Sequence, residues 1–305
     1  MNNRLAVNLP GLSLKNPIMP SSGSVYYGLD DVYEVERLGA LVTKTTTLDE
    51  RAGNPQPWII NTPAGILNSV GLANPGVNKV IKEFLPKIAE KYSNLPVMFS
   101  IAGETVQDYV RLTKYFDDID TISAIEANLS CPNVDRGGIE FGVSAESAAE
   151  VIAAMRQVTK KPIYAKMSPN VTDIKPIVKT VELAGADGLV LINTLVGMNL
   201  DLAKREPSLA RGIGGLSGTA IHPIAVRFVY EAAQTVDIPI IGVGGVTQVD
   251  DALELMMAGA SAVQVGSAIA TNPTIMPDII AALPKALDKY GFTDVTEVTR
   301  TFRKS

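Results

Sequence analysis

The only cysteine in the 305-residue chain, Cys131, stands in the stretch EANLSCPN, between a serine and a proline. A thiol acts as a base or a nucleophile only where its surroundings stabilise the thiolate. The commoner role of a cysteine is that of a small buried apolar residue. Cys131 follows an apolar run and begins a long segment, a position that suits either role. One cysteine is too few for an internal disulfide, a zinc–thiolate site or an iron–sulfur cluster, and it indicates a reducing compartment.

Two lysines, Lys44 in VTKTTT and Lys166 in YAKMSP, stand in otherwise apolar runs. An ammonium group in such a run is costly unless it meets an anion or hydrogen-bond acceptors. The pair therefore favours a bound anionic ligand. Two other interpretations stay open, namely lysines that extend to solvent from the ends of their strands and a Schiff-base lysine of the aldolase type.

Asparagines form a further group of candidates, although asparagine is disfavoured inside strands. An asparagine amide offers two donors and an acceptor, which matches the alternating C=O and N–H edges of flavin and pyrimidine rings. The alternative for each asparagine is a turn or a helix cap. The candidates are Asn68, Asn128, Asn133 and Asn193, the last of which precedes Thr194.

Glycine-rich turns follow two late apolar runs, GVGG at 242–245 and VGSA at 265–268. Glycines let backbone N–H groups approach an anion, and a following helix N-terminus favours negative charge. The turns predict a phosphate site, with ordinary strand-to-helix turns as the alternative. The residues concerned are Gly244, Gly245, Gly266 and Ser267. His222, the only histidine, stands at a predicted helix start, where we expect a capping or packing role.

Eight short apolar runs alternate with amphipathic segments, the pattern of repeated strand–helix units. Near-continuous apolar character indicates parallel strands covered on both faces. The predicted strands are 16–23, 40–47, 96–103, 124–131, 162–169, 188–194, 239–245 and 262–268. The predicted helices are 76–92, 105–116, 146–158, 173–184, 220–235, 248–257 and 275–289.

Eight such units in about 300 residues predict a (β/α)8 TIM barrel that forms one domain over residues 1–305. A doubly wound open sheet is the alternative, but its G-x-G-x-x-G motif after the first strand is absent. The first residues alternate around a Pro-Gly turn, which predicts a small β-hairpin that closes the barrel floor. Three long loops, 48–75, 132–145 and 195–219, follow strand ends on the face where barrel enzymes carry their active sites.

The composition is that of an ordinary globular protein, with 46% hydrophobic and 19% charged residues. The net charge is -5, and no basic run indicates a nucleic-acid partner. The N-terminus lacks a basic segment followed by an apolar one, and no stretch approaches the roughly 20 apolar residues of a membrane span. We therefore expect a cytoplasmic protein that neither binds nucleic acid nor enters a membrane.

Several motifs, in order along almost the whole chain, resemble class 1 dihydroorotate dehydrogenases, the soluble enzymes that use a cysteine base. They are LNSVGLANPG (67–76), NLSCPN with the following GG and FG, AKMSPNVTDI (165–174), INTLVGMNLD (192–201), GGLSGTAIHPIA (214–225) and IIGVGGV (240–246). The segments SCPNVDRGGIEFG and INTLVGMNLD are more similar to the NAD-linked 1B branch than to the fumarate-linked 1A branch. Ser100 stands where the 1B pattern leads us to expect asparagine.

The resemblance implies oxidation of dihydroorotate to orotate in pyrimidine biosynthesis, with FMN as the hydride acceptor and Cys131 as the general base, a contribution of about 10²–10⁴-fold. It implies that Lys44 lies between flavin and substrate and that Lys166 stabilises negative charge on the reduced flavin. The implied substrate-binding residues are Lys44, Asn68, Gly71, Leu72, Asn128, Asn133, Asn193 and Thr194. The implied FMN-binding residues are Ser22, Gly23, Lys44, Thr45, Ser100, Asn128, Lys166, Ile192, Gly218, Gly244, Gly245, Gly266 and Ser267.

An NAD-linked enzyme of this class passes electrons through FAD and a [2Fe–2S] cluster. A chain with one cysteine has too few ligands to bind such a cluster. The resemblance therefore implies a homodimer joined to a separate electron-transfer subunit in a heterotetramer, and no metal in this chain. Three alternatives stay open: a fumarate-linked 1A enzyme that acts alone, a flavin-free phosphosugar isomerase or aldolase, and a non-catalytic ligand-binding barrel.

Overall fold

The computed structural model describes residues 4–130, 132–133 and 139–302. Its centre is a sheet of eight parallel strands, all of them in runs that the sequence predicts. The strands are β1 (Ile18–Pro20), β2 (Leu41–Val42), β3 (Val97–Ile101), β4 (Ala124–Asn128), β5 (Ile163–Lys166), β6 (Gly188–Leu191), β7 (Ile240–Val243) and β8 (Ala262–Val265). The predicted barrel is confirmed.

The strands pair in the order β1-β8-β7-β6-β5-β4-β3-β2. Between β1 and β2, the Gly39 N–H donates to the Ile18 carbonyl at 2.8 Å, which brings the two end strands together. Every residue of β3 to β8 is buried, because side chains fill the barrel interior on one side and helices cover the other. Burial on both faces explains why the strands are largely apolar in sequence.

Helices follow the strands and cover the barrel. They are α1 (Gly76–Lys79), α2 (Leu85–Lys91), α3 (Val106–Asp117), α4 (Ala145–Arg156), α5 (Lys175–Leu183), α6 (His222–Ala233), α7 (Val249–Ala258), α8 (Ile275–Tyr290) and α9 (Val295–Phe302). A π-helical turn, Val80–Phe84, joins α1 and α2 into one helical segment, and α3 begins at a capping box of Thr105 and Asp108. The seven predicted helices are present, and α9 is an addition to them.

The N-terminal hairpin pairs Val7–Leu9 with Leu12–Leu14. Its turn lies at the floor of the barrel, because a Cβ on Gly11 would stand 2.5 Å from the Ser123 carbonyl oxygen, just before β4. The Tyr164 hydroxyl, on β5, donates to the Pro10 carbonyl at 2.8 Å. The predicted hairpin and its position are confirmed.

All three predicted long loops contain β-strands. Segments 48–75 and 195–219 contribute a four-stranded antiparallel sheet over the mouth of the barrel, which we call the canopy sheet. Its strands, in order, are Leu195–Met198, Ile213–Ser217, Gly65–Asn68 and Ile59–Thr62. In the third segment, Pro132–Asn133 pairs with Ile139–Glu140. Among the helices of the described residues, none is both long enough and apolar enough to cross a bilayer.

Candidate active site

A cavity of about 1260 Å³ lies between the C-terminal ends of the barrel strands and the canopy sheet. Most of the residues that the sequence nominates line this cavity. From the barrel these are Ser22, Gly23, Lys44, Thr45, Asn128, Lys166, Ile192, Asn193, Thr194, Gly244, Gly245, Gly266 and Ser267. From the canopy sheet and its flanking turns they are Asn68, Gly71, Leu72 and Gly218.

The remaining nominated residues are Cys131, Asn133 and Ser100. Cys131 lies outside the described residues. Asn133 is described only by its backbone, which pairs with Ile139. Ser100 is fully buried within the barrel, and its hydroxyl oxygen is 2.9 Å from that of Thr45, which lines the cavity.

The Lys166 ammonium group lies at the bottom of the cavity in a polar cluster. It is 3.9 Å from Oε1 of Glu126 and donates to the Ser22 hydroxyl at 3.3 Å and to Oε1 of Gln264 at 3.5 Å. Sequence reasoning missed Glu126 and Gln264. The same argument that singled out the lysines, a polar side chain inside an apolar strand, applies to both of them.

The second cation, Lys44, is half-buried and differs from Lys166 in its surroundings. Among the described residues, its ammonium group has no hydrogen-bond or ion-pair partner, and its chain packs beside Gly23. Burial, with repulsion from Lys166, lowers the pKa of Lys44 to about 8. A lysine with that pKa carries charge at neutral pH, and its ammonium group has no counterion among the described residues, which suits an anionic ligand.

Amides from neighbouring strands meet on one side of the cavity. Asn193 donates from its side chain to Oδ1 of Asn128 at 3.2 Å and to the Ser130 hydroxyl at 3.0 Å. The Thr194 N–H donates to Oδ1 of Asn193 at 2.8 Å, which fixes that amide. Asn170, which sequence reasoning missed, donates to the Thr194 carbonyl at 3.3 Å. These bonds hold the amides in defined orientations beside Lys166.

The canopy sheet and the turn that follows Asn68 bring three further candidates to the cavity. The Asn68 amide donates to the Gly215 carbonyl at 3.2 Å across adjacent strands. Gly71 and Leu72 both have positive φ angles, of 73° and 56°. A leucine rarely adopts this conformation, and such strain is concentrated at functional sites.

The turn after β7 packs closely against His222 and Gly218. A Cβ on Gly245 would stand 2.7 Å from Cβ of His222 and 2.8 Å from the Gly218 carbonyl oxygen. The His222 ring, at the start of α6, hydrogen-bonds through Nδ1 to the Gly244 carbonyl at 2.8 Å, and its Nε2 is 3.2 Å from Glu254. His222 therefore supports this glycine turn, beyond the packing role expected from the sequence.

A carboxyl group that the sequence did not nominate, Glu140, also lines the cavity. Its Oε2 atom is buried and has no hydrogen-bond partner within the described part of the chain. Burial raises the pKa of Glu140, and a hydrogen bond with Ser168 opposes that rise. The backbone of Glu140 pairs with Pro132, the residue after the cysteine.

Comparison with known proteins identifies relatives over nearly the whole chain. A family model described as dihydroorotate dehydrogenase matches residues 4–287. A protein of Anoxybacillus flavithermus is 50% identical over 299 residues, which cover 97% of this chain and 95% of that protein. A Geobacillus protein is 48% identical and an Enterococcus faecalis protein 47% identical, over 99% and 100% of this chain and 97% and 98% of theirs. All three are named dihydroorotate dehydrogenase B (NAD(+)), catalytic subunit.

Proposed function

The chain belongs to the dihydroorotate dehydrogenase family, and we propose that it oxidises dihydroorotate to orotate as the FMN-containing catalytic subunit of an NAD-linked enzyme. The observation that carries the proposal is the cavity at the barrel mouth, where two lysines, five cavity-lining asparagines and glycine turns on adjacent strands converge. The names of the relatives support the NAD-linked type over the fumarate-linked alternative.

The cavity suits a pyrimidine that carries a carboxylate. We assign Asn68, Asn128, Asn193 and Thr194 to its amide and carboxylate edges, because their side chains line one cavity and offer both donors and acceptors. Gly71, Leu72 and Asn133 complete the proposed substrate site. Lys44 supplies a positive charge that is unpaired among the described residues and suits the anionic substrate.

The chain also has features that fit FMN. Glycine is required after β7, where a Cβ on Gly245 would collide with backbone, and a Cβ on Gly266 would stand 2.8 Å from the Ser21 hydroxyl oxygen. These turns leave backbone N–H groups free to approach a phosphate. We assign the phosphate to Gly244, Gly245, Gly266 and Ser267. We assign the flavin ring system to Ser22, Gly23, Thr45, Asn128, Ile192 and Gly218. Lys44 and Lys166 would lie beside the ring system, and Ser100 would support it through Thr45.

Bound FMN would supply the acceptor for the hydride that leaves C6 of dihydroorotate. The protein would supply the base, and we assign that role to Cys131, which takes the proton from C5. In the sequence, Cys131 follows the last residue of β4 by three positions, so the strand that carries Asn128 would carry the base to the same cavity. Lys166 would stabilise the negative charge that accompanies hydride transfer.

Electrons must then leave the site. We propose that a homodimer of this chain binds two copies of an electron-transfer subunit that carries FAD and a [2Fe–2S] cluster and reduces NAD. The phrase "catalytic subunit" in the names of the relatives supports a partner. The single cysteine supports placing the cluster on that partner.

The test is anaerobic mixing of the purified, FMN-loaded chain with dihydroorotate while the flavin absorbance is followed. The wild type should bleach, whereas Cys131→Ala should bind FMN normally and bleach about 10²–10⁴-fold more slowly. Cys131→Ser, which keeps a weaker base at the position, should fall between them. Bleaching of the alanine variant at the wild-type rate would overturn the assignment of the base.

The same sample separates the alternative functions. A chain that binds no FMN would support the flavin-free isomerase or aldolase. A chain that binds FMN without bleaching would support a ligand-binding barrel. Reoxidation of the bleached flavin by fumarate would support the fumarate-linked type.

A further inference from the structure

Glu126 is a fully buried carboxylate in the middle of β4. Two of its partners, Ser100 and Lys166, lie on the adjacent strands β3 and β5. A third partner, Gln264, lies on β8, four strands away in the barrel order and therefore on the opposite wall. Their contact crosses the interior, so Glu126 lies inside the barrel directly below the cavity.

We propose that Glu126 is a positioning residue that orients the Lys166 ammonium group and sets the charge of the flavin site. The inference rests on the proposed function, because it concerns the FMN that the cavity would bind. The residue would act through its neighbours and would touch neither FMN nor substrate.

The hydrogen bonds around Glu126 have one consistent direction, because a carboxylate only accepts. Oε1 accepts from the Ser100 hydroxyl at 2.9 Å, so the Ser100 oxygen is left to accept from Thr45. Oε2 accepts from the Gln264 amide nitrogen at 3.1 Å, which turns the amide oxygen of Gln264 towards Lys166. One carboxylate thus orients Lys166, Thr45 and Ser100, three residues assigned to the flavin.

The charges lead to the same conclusion. Lys166 and Glu126 form an ion pair whose side chains are 6% and 0% exposed. Lys44 has no counterion among the described residues, so these three groups leave one positive charge at the cavity. Glu126 thereby limits the attraction of the site for a reduced, anionic flavin. Removing the carboxylate would leave two positive charges and favour the reduced form.

The test compares the FMN-loaded wild type with Glu126→Gln, which keeps the size and most of the hydrogen bonds of the side chain but removes the charge. We expect the ratio of the dissociation constants for oxidised and reduced FMN to rise about tenfold, a positive shift of about 30 mV in the two-electron midpoint potential. Equilibration with a reference dye measures that potential. Glu83→Gln, at an exposed position of the helical segment, is the matched control and should leave the potential unchanged.

A folded Glu126→Gln protein with the wild-type potential would overturn the proposal, because a purely structural role does not change the potential. If Glu126→Gln fails to fold, the double variant Glu126→Gln/Lys166→Met removes both buried charges and should recover folding. Failure of the double variant as well would overturn the pairing. Failure of the wild type to bind FMN or to bleach would instead refute the proposed function, so the two failures are distinguishable.

Discussion

At the residue scale, Lys44 and Lys166 differ in what compensates their charge. Lys166 is paired with a buried carboxylate, whereas burial and the charge of Lys166 lower the pKa of Lys44 to about 8. The ordinary lysine pKa is 10.5. In the ligand-free protein, Lys44 is therefore charged at neutral pH and loses its proton as the pH rises through about 8. Binding of an anion should weaken over the same interval.

We therefore expect the dissociation constant for orotate to rise about tenfold between pH 7 and pH 9, the factor by which a group of pKa about 8 loses its charged form. The measurement is an orotate titration followed by flavin absorbance. It belongs in a Cys131→Ala background, because a thiolate at that position would also repel the anion. Adding Lys44→Met should abolish the pH dependence, and a dependence that persists in that variant would contradict the prediction.

The sequence predicted some site residues and missed others for a physical reason. Lys44 and Lys166 were recognised as charges inside apolar runs, and the amides by their position at strand ends. Glu126 and Gln264 satisfy the same criterion, but their partners lie on other strands, and only the closed barrel brings those strands together. The contact of Gln264 with Glu126 joins residues 138 positions apart in the chain. No local pattern records that contact.

At the scale of elements, the barrel strands were predictable and the canopy strands were not. Two-sided burial makes a barrel strand a largely apolar run, as in Ile240–Val243. The canopy strand Ile213–Ser217 has the sequence IGGLS, in which no residue is fully buried, and its glycines indicate a loop. Pairing with distant segments decides its structure. Helix α9 is short and rich in β-branched residues, so its helical tendency is weak.

The canopy sheet depends on glycine where its strands approach the turn before α6. Gly65 has a φ of 154°, and a Cβ there would stand 1.9 Å from the Ser217 carbonyl oxygen. Gly65→Ala should therefore separate the two central canopy strands and weaken orotate binding by tenfold or more, while the barrel keeps its fold. Gly197→Ala is the control in the same sheet, because its Cβ would have no neighbour closer than 3.5 Å.

Orotate titration and thermal melting of both variants check this prediction. The Gly197 variant should match the wild type in both measurements. Equal orotate affinity in the two variants would mean that the canopy sheet does not shape the substrate site. A large fall in the melting temperature of Gly65→Ala without a change in affinity would point to the same conclusion.

At the scale of the whole molecule, the single cysteine bears on where the two half-reactions take place. Under the proposed function, this chain oxidises dihydroorotate and a different chain reduces NAD. The described cavity has the groups that we assign to a substrate and a flavin, and the chain has too few cysteines to ligate a [2Fe–2S] cluster. A dehydrogenase of the NAD-linked type would therefore be complete only as an assembly. The chain alone should then reduce the flavin, and only the complex should reduce NAD.

We expect the chain alone to bleach with dihydroorotate and to stay reduced in the presence of either NAD or fumarate. Addition of the cognate electron-transfer subunit should restore turnover with NAD, because the FAD and the cluster that we propose for that subunit would carry the electrons to NAD. Native mass spectrometry of the co-expressed subunits should give two copies of each. Turnover with fumarate by the chain alone would contradict the NAD-linked assignment, and a mixture that shows NAD turnover without a stable complex would contradict the heterotetramer only. The outcome therefore distinguishes an error in the acceptor from an error in the assembly.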